Sequence, residues 1–368
     1  MAGGSGERFW PLSRTRKPKQ LLKLSGDRTM IEDSIARIAP LIPVEDVFII
    51  TSQVLLEPLR LALLDMPAEN IIAEPYKRNT APCLALAASF IAEKYSEDYK
   101  TSEISIAVLT ADQNIEPELG FVNTVSAALN YVEEFPALAT IGITPSRPET
   151  GYGYIEVADN FSDSMDIAEI KTVKRFIEKP DSTAATQFLK DGNKLWNSGM
   201  FFWRLDTFIS AMKEHLPEVG NQIEEMQRLY KGKTNQAMPE AFSRTAPIFE
   251  AFPNISIDFG LMEKADKVVV AKALFNWDDI GSWDSLQRVR KADADGNIIE
   301  GRTALIDAKD TIVINTSADD KIVVAGIGLE GMVVVVTDDS VMICPKDRVQ
   351  EVKKCVEHLR TNKGEKWL

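Results

Sequence analysis

From Met1 to about Leu286, short apolar runs alternate with amphipathic stretches, the pattern of a mostly parallel sheet covered by helices. Four runs read as its strands: Val47–Thr51, Ile104–Leu109, Ala139–Ile143 and Val268–Ala273. Between the first two, Asn79 or Thr80 can cap a helix whose first turn suits Ala81 and Pro82 and whose apolar face runs from Leu84 to Ile91. Tyr154–Val157 and Val173–Ile177 read as a hairpin or side sheet, and the polar stretch from Lys213 to Ala246 as helices joined by a loop.

Past Val289 the period changes. Short β runs (Ile298–Glu300, Thr303–Ile306, Thr311–Asn315, Ile322–Ala325, Met332–Val336, Val341–Cys344) are punctuated by Asp, Gly, Asn and Ser, and Arg348–Arg360 reads as a closing helix. The pattern predicts two parts. Residues 1–290 form an α/β domain with a Rossmann-like sheet, and residues 291–368 a small all-β module, either a sandwich or a short left-handed β-helix. Met332–Val336 is apolar at every position and is therefore expected to be buried on both faces.

Composition narrows the classes. The 368 residues are 45% hydrophobic and 26% charged, which excludes disordered and collagen-like chains. A net charge of −13 argues against nonspecific binding to nucleic acid or anionic membrane, so any phosphate site must be local. Three cysteines without paired spacing (Cys83, Cys344, Cys355) suggest reduced thiols in a cytoplasmic protein. No apolar run reaches the length of a membrane helix, and two histidines, His215 and His358, leave carboxylates as the metal ligands.

Against the acidic whole, the first 24 residues carry six basic side chains (Arg8, Arg14, Arg16, Lys17, Lys19, Lys23) and one acid, Glu7. They surround Gly3-Gly4-Ser5-Gly6. Glycines let backbone amides approach phosphate oxygens, and Arg and Lys neutralise charge on a phosphoryl group, so the segment outlines a polyphosphate cradle. Its spacing fits neither the dinucleotide fingerprint nor the P-loop. Asp112 follows the strand Ile104–Leu109 at the end where open α/β sheets bind ligands, although a lone Asp there also suits a turn or a cap.

The string from Gly3 to Ser13 (GGSGERFWPLS) with Pro18-Lys19-Gln20 resembles the signature of the sugar-1-phosphate nucleotidylyltransferase family, in its mannose and guanine branch. Further matches follow in order: Glu74-Pro75 with Arg78-Asn79-Thr80-Ala81-Pro82, Arg147 to Ile155, Glu178-Lys179-Pro180, Trp196 to Phe201, Ser256-Ile257-Asp258, and Trp277 to Trp283. The resemblance implies that Gly3, Gly4, Ser5 and Gly6 wrap the nucleotide. It places Arg8 and Lys19 on the β and γ phosphates, and Glu74, Arg78, Asn79 and Thr80 around base and ribose. It implies Gly153, Glu178, Lys179, Asn197 and Asp258 at the sugar phosphate, and Asp112 and Asp279 on Mg²⁺.

The implied substrates are GTP and mannose 1-phosphate, and a homodimer is expected. Another hexose 1-phosphate or base, or a noncatalytic sugar-nucleotide-binding homologue, is the alternative. Trp196, Trp277 and Trp283 are expected to be core or supporting residues. The family carries a short apolar strand before the glycine loop, whereas only Met1-Ala2 stand there in this sequence. The first strand is thus expected to be missing or truncated, and the sheet to carry an empty slot. The segment at Ala111-Asp112-Gln113 also departs from the family, which has Pro before the Ala and His after the Asp.

Overall fold

The computed structural model describes residues 1–4, 6–161, 168–231, 238–318, 321–362 and 364–368. Ser5 of the glycine loop lies outside them. The α/β part contributes the strands β1 (Ile49–Ser52), β2 (Ile71–Glu74), β3 (Ser105–Val108), β4 (Asn114–Glu116), β5 (Leu138–Ile143), β6 (Tyr154–Val157), β7 (Ile170–Ile177), β8 (Lys194–Arg204), β9 (Val268–Lys272) and β10 (Asn276–Asp278). The β-rich part contributes β11 (Ile298–Glu300), β12 (Thr303–Ile306), β13 (Ile312–Asn315), β14 (Val324–Ile327), β15 (Met332–Val336) and β16 (Val341–Pro345).

The main sheet has six strands in the order β3-β8-β5-β9-β7-β6. Among the described residues β5 and β9 are its one parallel pair, both strands fully buried, and its other pairings are antiparallel, so this sheet is mixed where a mostly parallel one was expected. β8 is the strand that the apolar runs do not disclose, and it lies antiparallel between β3 and β5. Its second half alternates faces: Phe201 and Trp203 enter one core with Leu84 and Phe208, while Met200 and Phe202 enter the other with Phe121 and Val125. Helices Thr80–Lys94 and Glu118–Glu134 supply those opposite layers. Its first half pairs with β6 as well as β5, so the predicted hairpin β6–β7 is bound to the same sheet. Among the described residues no helix is long and apolar enough to cross a membrane, and Cys83, Cys344 and Cys355 are free thiols.

β1 and β2 form a separate parallel pair. Between β1 and β3 the backbone of Met1 and Ala2 bridges the gap: Ala2 N donates to Ile50 O at 2.9 Å and the Met1 amine to Leu109 O at 2.8 Å. A cavity of about 420 Å³ remains there, walled by apolar side chains including Ile35, Ile50, Leu84, Ile106 and Trp203.

In the C-terminal part, β11, β13 and β15 stack as parallel neighbours, and so do β12 and β14. Parallel ladders between successive turns of chain describe a β-solenoid, and a sandwich is excluded because its hairpins pair antiparallel. β15 is the middle layer of the module. Val333 and Val335 point into a core shared with Phe9, Leu22, Leu24, Met30, Ile280 and Trp283, and Val334 and Val336 into a second core beneath β14. The module is thus packed directly beneath the glycine loop. The helix Val352–Thr361 closes it, and Arg360 pairs with Glu7 at 2.8 Å.

Candidate active site

The glycine loop is held from below. Gly6 has φ +61°, and a Cβ there would come within 2.6 Å of the Lys19 Cβ, so loop and lysine segment touch backbone to backbone. Phe9 packs edge-on against Trp283, with ring centroids 5.1 Å apart, and Gln20 Nε2 donates to Gly4 O at 3.2 Å. Gly3 lies beside Glu74, whose carboxyl burial pushes up to about 7 against the opposing hydrogen bond with Cys83. Gly3 and Gly4 are exposed, leaving their backbone open to a ligand.

Lys19 is the centre of this half of the site. Its side chain is only 8% exposed. Its Nζ donates to Asp112 Oδ2 at 3.2 Å and to the Asp279 carbonyl at 2.5 Å, tying the segment after β3 to the segment after β10. The Asp279 carboxylate accepts from the Tyr152 hydroxyl at 2.6 Å, and burial raises its pKa. Asp278, its neighbour, is clamped by Arg288 (Nε to Oδ2 2.5 Å, Nη2 to Oδ1 3.1 Å) and also accepts from Ile280 N, which fixes the turn carrying Asp279. Arg8 is exposed at the rim, and its Nη1 donates to Gly281 O at 3.4 Å.

A second cluster forms around the middle of β8. The β5–β8 register shifts opposite Thr140–Gly142, and at this bulge Asn197 projects sideways, its Oδ1 accepting from Gly199 N and its Nδ2 donating to Asp258 Oδ1 at 2.8 Å. Burial raises the Asp258 pKa, opposed by that hydrogen bond. Gly153 O accepts from Asn197 N at 2.8 Å, and a Cβ on Gly153 would come within 2.9 Å of Glu178 Oε2. Glu178 and Lys179 pair at 2.8 Å in the open mouth of this cluster.

Two contacts connect the halves. Thr80 Oγ1 accepts from Ile257 N at 2.8 Å, beside Asp258, and Tyr152, next to Gly153, reaches Asp279. Asn79 adopts φ +70° and its side chain accepts from Thr80 N, so this pair starts the helix Thr80–Lys94, as its capping residues predict. Arg78, one residue before this pair, donates from Nη2 to Glu250 O at 2.5 Å, and its guanidinium lies over Tyr76. Tyr152 is a site residue that the sequence reading leaves out, although it stands within the quoted string Gly151-Tyr152-Gly153. Trp196 and Trp283 are fully buried and Trp277 half-buried, each in the supporting role expected of them.

A glycine loop, a buried lysine between two aspartates and an adjoining polar cluster are the parts of a phosphoryl-transfer site. Two family models match the chain, the nucleotidyl transferase model over residues 1–296 and the mannose-phosphate isomerase/GMP-like β-helix domain over residues 301–359. The chain belongs to the nucleotidyl transferase family. It is 37% identical to a mannose-1-phosphate guanylyltransferase of Escherichia coli over 98% of this chain and 73% of the relative. To the alginate biosynthesis protein AlgA of Pseudomonas aeruginosa it is 36% identical, over 98% of this chain and 71% of the relative. A crystal structure from Thermus thermophilus, described as a mannose-1-phosphate geranyltransferase, superposes with a TM-score of 0.81 at 31% identity, covering 98% of each chain. As a nucleotidyl transferase the chain is an enzyme.

Proposed function

We propose that this nucleotidyl transferase moves GMP from GTP to α-D-mannose 1-phosphate, giving GDP-mannose and pyrophosphate. The observation that carries the reading is the bond from Lys19 Nζ to both Asp112 and Asp279 at the foot of the glycine loop, one Tyr152 contact away from the Gly153–Asn197–Asp258 cluster. The relatives' activity agrees with it. A sugar-phosphate oxygen attacks the α-phosphorus, the bond to the bridging α–β oxygen breaks in line, and pyrophosphate leaves. The nucleophile is already an anion, so positioning and charge neutralisation suffice and no general base is needed.

On this reading Gly3, Gly4 and Gly6 offer backbone to the triphosphate, Lys19 meets it from the buried side and Arg8 from the rim. Glu74, Asn79 and Thr80 lie on the nucleoside side. Asn197, Glu178 and Asp258 meet sugar hydroxyls, and Lys179 the sugar phosphate. Asp112 and Asp279 would hold Mg²⁺, which would supply positive charge to the phosphate oxygens. The donor chemistry fits, because two carboxylates plus substrate oxygens are what Mg²⁺ takes. Among the described residues no group of three or more metal-binding side chains would hold it without substrate.

Residues 1–290 carry this chemistry and 291–368 brace it, in the cytoplasm, where the charged substrates are retained. A homodimer belongs to the same reading, supported by exposed Ile306 and Ile327, directly paired across β12–β14. Light scattering on the purified chain is expected to give twice the monomer mass.

The direct test is pyrophosphate release with Mg²⁺, pairing mannose 1-phosphate or glucose 1-phosphate with GTP, ATP, UTP or dTTP. Release confined to mannose 1-phosphate with GTP is expected. Another productive pair would reassign the substrates, and silence in every pair would leave a noncatalytic binding protein. Gly153→Ala drives a methyl group against Glu178. It should raise KM for the sugar phosphate about tenfold and leave KM for GTP alone, since the clash lies in the second cluster only.

A further inference from the structure

The segment between β5 and β6 is folded around Glu149. Its Oε2 accepts from Arg147 Nε at 3.2 Å, its Oε1 from Gly151 N at 3.0 Å, and its carbonyl from the Tyr154 hydroxyl at 2.9 Å. So fastened, the segment carries the Arg147 guanidinium over the rings of Tyr152 and Trp196, 5.7 Å and 5.0 Å from their centroids. The Tyr152 ring stands edge-on to both Trp196 and Trp277, each with its centroid 5.2 Å away. A ring packed on both sides holds its hydroxyl in one direction.

That hydroxyl is the middle member of a relay. It accepts from Arg147 Nη2 at 3.2 Å and donates to Asp279 Oδ1 at 2.6 Å. A guanidinium behind the phenol strengthens it as a donor, and a donor to a carboxylate makes a short, directed bond. With Oδ1 taken, Oδ2 is the oxygen left for a ligand. Residue 281 keeps the space beside it open, because it is glycine: a Cβ there would come within 3.0 Å of Asp279 Oδ2.

We propose, on the reading above that Asp279 holds Mg²⁺, that Tyr152 is a positioning residue: backed by Arg147, it turns the Asp279 carboxylate so that Oδ2 faces the cation. Tyr152 acts through Asp279, and Arg147 acts through the Tyr152 hydroxyl. Removing Arg147 therefore has no further effect once that hydroxyl is gone.

Mn²⁺ binding reads this without turnover. The full chain with saturating GDP-mannose is titrated with Mn²⁺, followed by the electron paramagnetic resonance of the free ion, for the parent chain, Tyr152→Phe, Arg147→Met and the double variant. Tyr152→Phe keeps the ring between its two tryptophans and removes only the hydroxyl. It is expected to raise the Kd for Mn²⁺ about 10- to 100-fold, the range for a partner that orients a metal ligand, with a melting temperature within a few degrees of the parent. Arg147→Met should raise the Kd by less, and the double variant should match Tyr152→Phe. A parent chain that binds no Mn²⁺ would overturn the proposed function and this assignment together. Mn²⁺ binding that is equally tight in the parent and Tyr152→Phe would overturn the assignment alone. So would losses that multiply in the double variant, or a weakened Kd matched by a collapsed melt.

Discussion

Replacing Lys19 with methionine is expected to lower kcat about 10²- to 10³-fold, the range for removing one preorganised charge from a site where charge develops. The ammonium is buried, and its position is set before any ligand arrives by Asp112 and the Asp279 carbonyl, so it spends little reorganisation when the triphosphate enters. Methionine keeps the length and packing of the stem but carries no charge. Steady-state pyrophosphate release and a thermal melt on the same sample check this. A lysine that only packed the loop would show its effect in the melting temperature, whereas the expected loss appears in kcat with the melt shifted by no more than a few degrees.

Asp279→Asn is expected to cost as much, with a different signature. The carboxylate is raised from its usual 3.8 by burial, so its ionised form is harder to reach in the free protein, and it is the ionised form that binds a cation. As pH falls through that raised value, kcat/KM should decline, placing the acid limb above the limb of an ordinary aspartate. The asparagine variant should lose both that limb and most of its response to added Mg²⁺, while the Tyr152 hydroxyl still finds an oxygen acceptor at residue 279. A pH–rate profile at two Mg²⁺ concentrations reads both effects. Retention of normal turnover would remove Asp279 from the metal assignment.

How much of this was legible beforehand depended on whether the determining contacts are local. The strands β5 and β9 lie close to where the apolar runs put them, because full burial leaves an uninterrupted run. β8 escaped because Asn197, Ser198 and Gly199 interrupt its run at the bulge that aims Asn197 at Asp258. The break that conceals the strand is the same feature that builds the site. In the C-terminal part the strands were readable but their stacking was not, since turn spacing is the same for a sandwich and a solenoid and only the parallel register distinguishes them. The predicted strand Ile322–Ala325 forms two residues later, at Val324–Ile327.

The site shows the same division. The glycine loop stood out through a local inversion of charge, and Lys19 with it. Tyr152 did not, because its function lies in a contact with Asp279, 127 positions along the chain.

The core beneath the glycine loop bears on how such proteins can be recombined. Phe9, Leu22, Leu24 and Met30 from the beginning of the chain and Ile280, Trp283 and Leu286 from the end of the α/β part interlock with Ile298, Ile312, Ile314, Val333 and Val335 of the solenoid. The C-terminal module is therefore not a detachable cassette. A chimera that exchanges only the solenoid with a relative inherits a mismatched floor under its own phosphate loop, and a successful exchange has to carry those seven N-terminal-side residues with it. Sequence change in the solenoid core and in the catalytic loop's underside is in this way bound to proceed together.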